Sequence, residues 1–379
     1  MGEWKIKRIN QLGEISRGRS RHRPRDDKSL YGGEYPFVQT GDVKASEFYL
    51  IKYSQTYNEK GLAQSKLWKK GTLCITIAAN IAETAILDID ACFPDSIVGF
   101  IPFDDEADVR FVKYSFDMLK KEMQLASLGA TQDNFSVEKM LKFKFIVPDF
   151  KKQKRVSDIL STYDDLIENN NRRVELLEKA AQELYKEWFV RFRFPNHENA
   201  KFVNGLPEGW EVKKVKSIVK RLPFGSLYKE NELTDEGAVI VIDQSQKEYL
   251  GFHNNEPSHR ASKENPIIIF GDHSCKMRLM MIDFSLAENV VPFTSQGQMP
   301  ISFLYYTVRS LIETSEYKRH WTELMNKKVL IPNHHLQKKY DTIVRDNEAL
   351  INSLNIQTRN LKKQRDLLLP RLMSGRLEV

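Results

Sequence analysis

Little in this 379-residue chain could staple it covalently or seat it in a bilayer. Its three cysteines, Cys74, Cys92 and Cys275, are too few and too scattered for a disulfide framework, so free thiols in a reducing compartment are expected. No apolar run approaches the ~18–20 residues of a membrane span. The first residues, Met1 to Arg8, enter a charged alternating strand without the apolar core of a signal peptide. A cytoplasmic protein with no membrane partner is expected.

Catalytic signatures are equally scarce. There is no G-x-x-x-x-G-K-[ST] phosphate loop. Asn265-Pro-Ile-Ile lacks the second proline and the aromatic ring of a base-methylating N-P-P-[YF] motif, and no Gly-rich cofactor loop precedes it. Pro148-Asp149 is not followed by the acidic-x-Lys pair of a metal-dependent nuclease. His273, Cys275, His334 and His335 lack a second ligand pair at zinc spacing. No catalytic residue, metal or cofactor of its own is expected.

What is present is a duplication. Phe145-Ile-Val-Pro-Asp-Phe-Lys-Lys-Gln153 lines up with Val329-Leu-Ile-Pro-Asn-His-His-Leu-Gln337, and residues 145–185 match 329–369 without a gap at an offset of 184. That period is far longer than the ~20–50 residues of a solenoid unit, so a whole module is used twice. Trp4 and Trp210 each lead the opening strand of a module. Hydrophobic residues make up 41% of the chain, enough for two packed cores. Within each module short apolar runs read as strands: 35–39, 72–77 and 96–101, then 238–243, 266–270 and 289–293. One helix in each is expected near 106–124 and 300–318.

Each module ends in a long amphipathic helix. From Val156 the apolar positions Ile159, Tyr163, Leu166, Leu177 and Leu184 recur at helical spacing, as do Ile343, Leu350, Leu354, Leu361 and Leu368 in the second copy. Pro148 and Pro332 precede the helices, and Pro195 and Pro370 are expected to stop them. About 36 residues span ~55 Å, and a helix that long with a narrow stripe suits a partner helix, the other copy being at hand. Asn170 sits in the first stripe where the second carries Leu354, either fixing register or partly solvated.

The net charge of +7 leans towards a polyanion. The densest basic stretch holds Arg17, Arg19, Arg21, Arg23 and Arg25 among Gly, Ser and Pro, an extended loop of forked donors suited to phosphates and guanine edges. Lys220, Arg221 and Lys229 stand at the matching place in the second module. Further candidate base contacts lie in turns after strands: Gln39, Thr40, Asn80, Thr131 and Gln132, then Gln244, Lys276, Arg278 and Gln296. Any single turn of this kind is more often plain surface; recurrence after equivalent strands raises its weight.

Assembled, the order and duplication resemble the specificity (S) subunit of type I restriction-modification systems. The helix entries Ile146-Val-Pro148 and Leu330-Ile-Pro332, the Trp-led starts, Tyr35-Pro-Phe-Val with Gly41-Asp42, and Ile269-Phe-Gly-Asp-His-Ser274 carry the resemblance, over nearly the whole chain. It implies an α+β protein: two mixed α/β target recognition domains, 1–148 and 195–332, separated by long antiparallel spacer helices within 149–194 and 333–379. Each domain would read half of a bipartite site in double-stranded DNA. Two methyltransferase (M) subunits would bring S-adenosylmethionine, and restriction (R) subunits would bring ATP and Mg²⁺ chemistry. The competing class is a coiled-coil scaffold whose globular parts bind protein.

Overall fold

The computed structural model describes residues 4–127, 135–245, 247–313 and 318–379. Thr131 and Gln132 lie outside the described residues, as does Gln246. The chain divides into two compact units, Met1–Glu168 with Arg359–Val379, and Asn169–Thr358. Each unit therefore holds one globular part and a portion of both long helices.

In the first unit a five-stranded sheet runs in the order Gly13–Arg17, Ile97–Pro102, Leu73–Thr76, Thr84–Leu87, Tyr49–Leu50. Its inner strands, Leu73–Thr76 and Thr84–Leu87, are buried at every position, which accounts for their unbroken apolar and β-branched sequence. Gly99 is required in the neighbouring strand, because a Cβ there would lie 2.5 Å from the Trp68 ring. A second sheet of Gln55–Tyr57, Tyr31–Phe37, Ala91–Cys92 and Leu67–Trp68 contains one parallel pairing, Phe37 against Cys92. The helix Val109–Ser127 lays Phe111, Val112, Tyr114, Phe116 and Met123 into the core.

The second unit repeats this plan. Val219–Arg221, Val290–Ser295, Ile267–Gly271 and Met277–Met280 form its main sheet in the same spatial order, and Val239–Ile242 pairs parallel with Phe284–Leu286 as Tyr31–Phe37 does with Ala91–Cys92. Both units close with a two-stranded ribbon before the long helix: Lys5–Lys7 with Phe145–Val147, and Glu211–Lys214 with Lys328–Ile331. The helix expected over 300–318 spans only Ile301–Val308, and the chain leaves it by a turn in which Leu311 N–H donates to Val308 O at 3.3 Å.

The long helices run Phe150–Tyr185 and His334–Met373. Both start on the same devices. Asp149 Oδ1 accepts Lys152 N–H at 2.9 Å, and Asn333 Oδ1 accepts Leu336 N–H at 2.9 Å. Gln153 Nε2 then donates to Pro148 O (3.0 Å) and Gln337 Nε2 to Pro332 O (2.8 Å), which explains the shared Pro-to-Gln spacing.

Neither helix is stopped by its proline. The first passes into a π turn, Lys186–Val190, and Phe192 adopts φ 58°, before Pro195 is reached. Pro370 lies inside the second helix, where only one backbone bond is forfeited in the final turn.

The buried stripe also differs from the expected one. Ile159 (37% exposed), Leu166 (48%), Ile343 (47%) and Leu350 (38%) face outward. Their neighbours Leu160, Ile167, Val344 and Ile351 are buried instead. In each apolar doublet the second residue faces in, a choice that helical spacing leaves open. Asn170 and Leu354 are buried; Tyr163, Leu177, Leu184, Leu361 and Leu368 are half-buried.

Candidate nucleic-acid interface

The arginine loop leaves the edge strand Gly13–Arg17 of the first unit. Gly18 N–H still donates to Ile97 O (2.8 Å) and Arg19 N–H to Phe93 O (3.0 Å), so the backbone stays on the sheet beyond the strand. Arg17, Arg19 and Arg21 are exposed, whereas Gly18 and Ser20 between them are buried. The remaining two arginines work inside the loop. Arg23 Nη1 donates to Ser20 O and His22 O, both at 2.7 Å, and Arg25 Nη2 bonds both Asp95 carboxylate oxygens at 2.8 Å.

The polar residues of this unit fall into two groups. Gln39 joins Arg25 in lining a cleft of about 510 Å³ with Asp26, Lys28, Tyr31 and Gln55, and Gln39 Nε2 donates to Gln55 Oε1 at 2.6 Å. Thr40 opens the short helix Thr40–Ala45, whose Lys44 Nζ donates to Asn80 Oδ1 at 3.2 Å. Asn80 therefore belongs with that helix.

In the second unit Lys220 and Arg221 end the strand equivalent to Gly13–Arg17, and Gln296 lies beside them, its N–H donating to Ile218 O at 2.8 Å. The Arg221 guanidinium stacks 4.6 Å over Phe224 at a cleft of about 550 Å³ that Asp272, Arg319 and Trp321 also line. Lys276 and Arg278 converge elsewhere, on the carbonyls of Lys247 and Glu248. Burial, reinforced by Arg278, pulls the Lys276 ammonium down to about 8. Gln244 Oε1 accepts His273 N–H at 3.2 Å, while Lys229 is exposed at the start of a short 3-10 turn. Arg319 was not anticipated from sequence, lying in a stretch without strand or helix periodicity.

Arg365 stands out in the sequence as a polar position in the second stripe, whereas the carboxylates buried along the helices, Asp164 and Glu348, do not. In the first unit Tyr114 Oη donates to Asp164, whose other oxygen accepts Arg365 Nη1 at 2.5 Å. Burial raises the Asp164 carboxyl, with Arg365 and Tyr114 acting against the shift. The helices run antiparallel there, because Val156 and Leu160 share a core with Leu372 and Met373 while Asp164 meets Arg365.

In the second unit the equivalent tyrosine, Tyr306, donates to Glu348, the residue 184 positions after Asp164. No guanidinium comes from the facing helix, since position 181 is alanine where its repeat carries Arg365. Burial accordingly pushes the Glu348 carboxyl up to about 7. Tyr340 Oη donates to Ala181 O at 2.9 Å, and Tyr340 packs against Tyr185, Trp188 and Phe189.

Among the described residues no group of three or more His, Cys, Asp or Glu is placed to hold a metal ion. Among them no helix is long and apolar enough to cross a membrane.

Comparison with known proteins supplies the context. Residues 1–179 match the family model of the type I restriction modification DNA specificity domain. The chain is 26% identical to the type I restriction enzyme MjaIX specificity subunit of Methanocaldococcus jannaschii, over 100% of this chain and 94% of that protein. It is 27% identical to the HindI specificity subunit of Haemophilus influenzae, over 51% of this chain and 42% of that one. The crystal structure of the S subunit of a type I restriction-modification system from M. genitalium shares the fold, with a TM-score of 0.61 at 16% identity, covering 98% of this chain and 96% of that one.

Proposed function

We propose that this chain belongs to the type I restriction-modification specificity-subunit family and reads a bipartite site in double-stranded DNA, one half through each unit. The carrying observation is that one fold occurs twice and sets an arginine at the end of the equivalent edge strand in both, Arg17 in Gly13–Arg17 and Arg221 in Val219–Arg221, two register positions apart. Arginine forks there suit phosphates and guanine edges, and unlike loops on like scaffolds suit unlike half-sites. The cationic turns around Lys220, Arg221 and Gln296 would serve the second half.

The recognition domains are assigned to 1–148 and 195–332, and the spacer helices to 149–194 and 333–379. Helix length would then set the unread gap. The 36 residues of the first helix span roughly 54 Å, about one and a half turns of B-DNA. Ile159 and Leu166 are exposed at the positions where Ile343 and Leu350 are exposed in the repeat, as a surface for two copies of one partner requires. Those copies would be methyltransferase subunits, with S-adenosylmethionine, ATP and Mg²⁺ bound by methyltransferase and restriction subunits in the cytoplasm. The chain's own part is recognition without catalysis.

Purification with the methyltransferase tests this reading. Co-elution, DNA binding that weakens with salt, and adenine methylation at one bipartite motif are expected. A chain that elutes alone and ignores DNA at low salt would be a scaffold instead.

A further inference from the structure

The arginine loop is held in one shape by residues far away in sequence. Gln64 Oε1 accepts two successive backbone N–H groups, Arg21 at 2.6 Å and His22 at 3.1 Å. Ser65 Oγ donates to Arg19 O at 2.7 Å. On the other side Asp95 takes the Arg25 guanidinium, Tyr31 Oη donates to Arg25 O at 2.7 Å, and His22 meets Asp27 at 2.7 Å. Gly18 admits no side chain, because a Cβ there would lie 2.3 Å from Pro94 O. A stretch rich in Arg, Ser and Gly thus has its backbone polar groups bound at both ends.

That restraint has a directional result. Exposure alternates from Arg17 to Arg21, with Gly18 and Ser20 turned inward. Side chains two residues apart in extended backbone share a side at a pitch of ~6.6 Å, close to two base-pair steps of ~3.4 Å. Arg17 lies near Glu138, whose carboxyl is held below the usual range chiefly by hydrogen bonds from Ser136 and its own backbone N–H, with a smaller contribution from Arg17. Arg19 and Arg21 have no side-chain partner among the described residues. A guanidinium fork discriminates guanine only if it arrives in a fixed orientation, and a restrained backbone removes most of the ordering cost.

We propose that Gln64 and Asp95 are positioning residues which fix the 18–27 loop so that Arg19 and Arg21 address guanine edges two base pairs apart in one half-site. Arg23 and Arg25 are internal clamps of that loop. The inference rests on the DNA-reading function above and assigns within it which arginines read and what aims them.

The test uses the full chain with its methyltransferase. Methylome sequencing of a host carrying the pair supplies the motif. Competition binding then compares that duplex with duplexes changed at single base pairs, for wild type, Arg19→Ala/Arg21→Ala, Gln64→Leu, Gln64→Glu and Asp95→Asn. Gln64→Leu is expected to lose about tenfold discrimination at the same base pairs as the double arginine variant. Its salt slope should stay at the wild-type value, because no phosphate contact is removed. Gln64→Glu, which keeps the acceptor, should restore discrimination, and Asp95→Asn should weaken it in the same half-site.

The other half-site is the control for folding. If Gln64→Leu discriminates like wild type while the double arginine variant does not, or if it weakens both half-sites equally, the positioning role is wrong and the DNA-reading function stands. If the wild-type complex neither binds nor methylates DNA, both fall.

Discussion

Replacing Glu348 by glutamine should stabilise the protein far more at pH 8.5 than at pH 5. Glu348 is buried on the second long helix. Tyr306 Oη donates to it from the helix Ile301–Val308. Glu178 on the first long helix repels it, and the Arg309 guanidinium that attracts it is bonded to Glu178 at 2.6 Å. Tyr340 lies close enough for Glu348 to hinder its ionisation. Burial dominates and lifts the carboxyl from 4.5 to about 7.

The folded state therefore keeps its proton over a pH range in which the unfolded chain has lost it. Stability falls as pH rises from about 4.5 to about 7, and the deficit is complete above that. At 1.36 kcal/mol per unit the cost is on the order of 3 kcal/mol. Glutamine keeps an acceptor for Tyr306 and cannot ionise. Urea denaturation of wild type and Glu348→Gln, followed by tryptophan fluorescence from pH 5 to 8.5, should show a difference of under about 1 kcal/mol at pH 5 that grows to roughly 3 kcal/mol in base. A difference independent of pH, or one favouring wild type at pH 8.5, would refute the protonation argument.

Three further outcomes are expected. Arg365→Ala should destabilise the protein by about 3–5 kcal/mol by leaving Asp164 buried without its counter-ion, and adding Asp164→Asn should recover much of that in a double-mutant cycle. Gly99→Ala should cost about 1–3 kcal/mol in thermal denaturation, because the new methyl meets the Trp68 ring. Tyr340→Ala should cost about 3–5 kcal/mol by emptying an aromatic cluster, and Tyr340→Phe only about 1 kcal/mol, the bond to Ala181 O.

The duplication was legible because the helix entries are constrained by chemistry that tolerates few substitutes. A side-chain cap at 149 and 333 and a glutamine reaching back to the proline carbonyl at 153 and 337 leave a readable spacing. The strands were legible where they are buried on both faces, as at 73–76 and 239–242. The inward face of the helices was not. Doublets such as Ile159-Leu160 and Leu350-Ile351 offer two apolar choices, and the true stripe contains Ser157, Asp164, Asp341 and Glu348, of which Asp164 and Glu348 are bonded by tyrosines from other elements. The arginine loop was visible as composition only. That Arg23 and Arg25 are spent on Ser20 O, His22 O and Asp95 follows from contacts as far as 70 residues apart. Arg319 belongs to the cleft beside Arg221 solely through the tertiary fold.

Deleting residues 171–177 together with their repeats 355–361, then sequencing the methylome of a host that carries the variant with the methyltransferase proposed as its partner, bears most directly on the proposal of a doubled DNA reader spaced by its helices. Seven residues of helix amount to ~10.5 Å, or about three base pairs. The expected result is a motif with both half-sites intact and a gap shorter by about that number. Altered half-sites with an unchanged gap would contradict it.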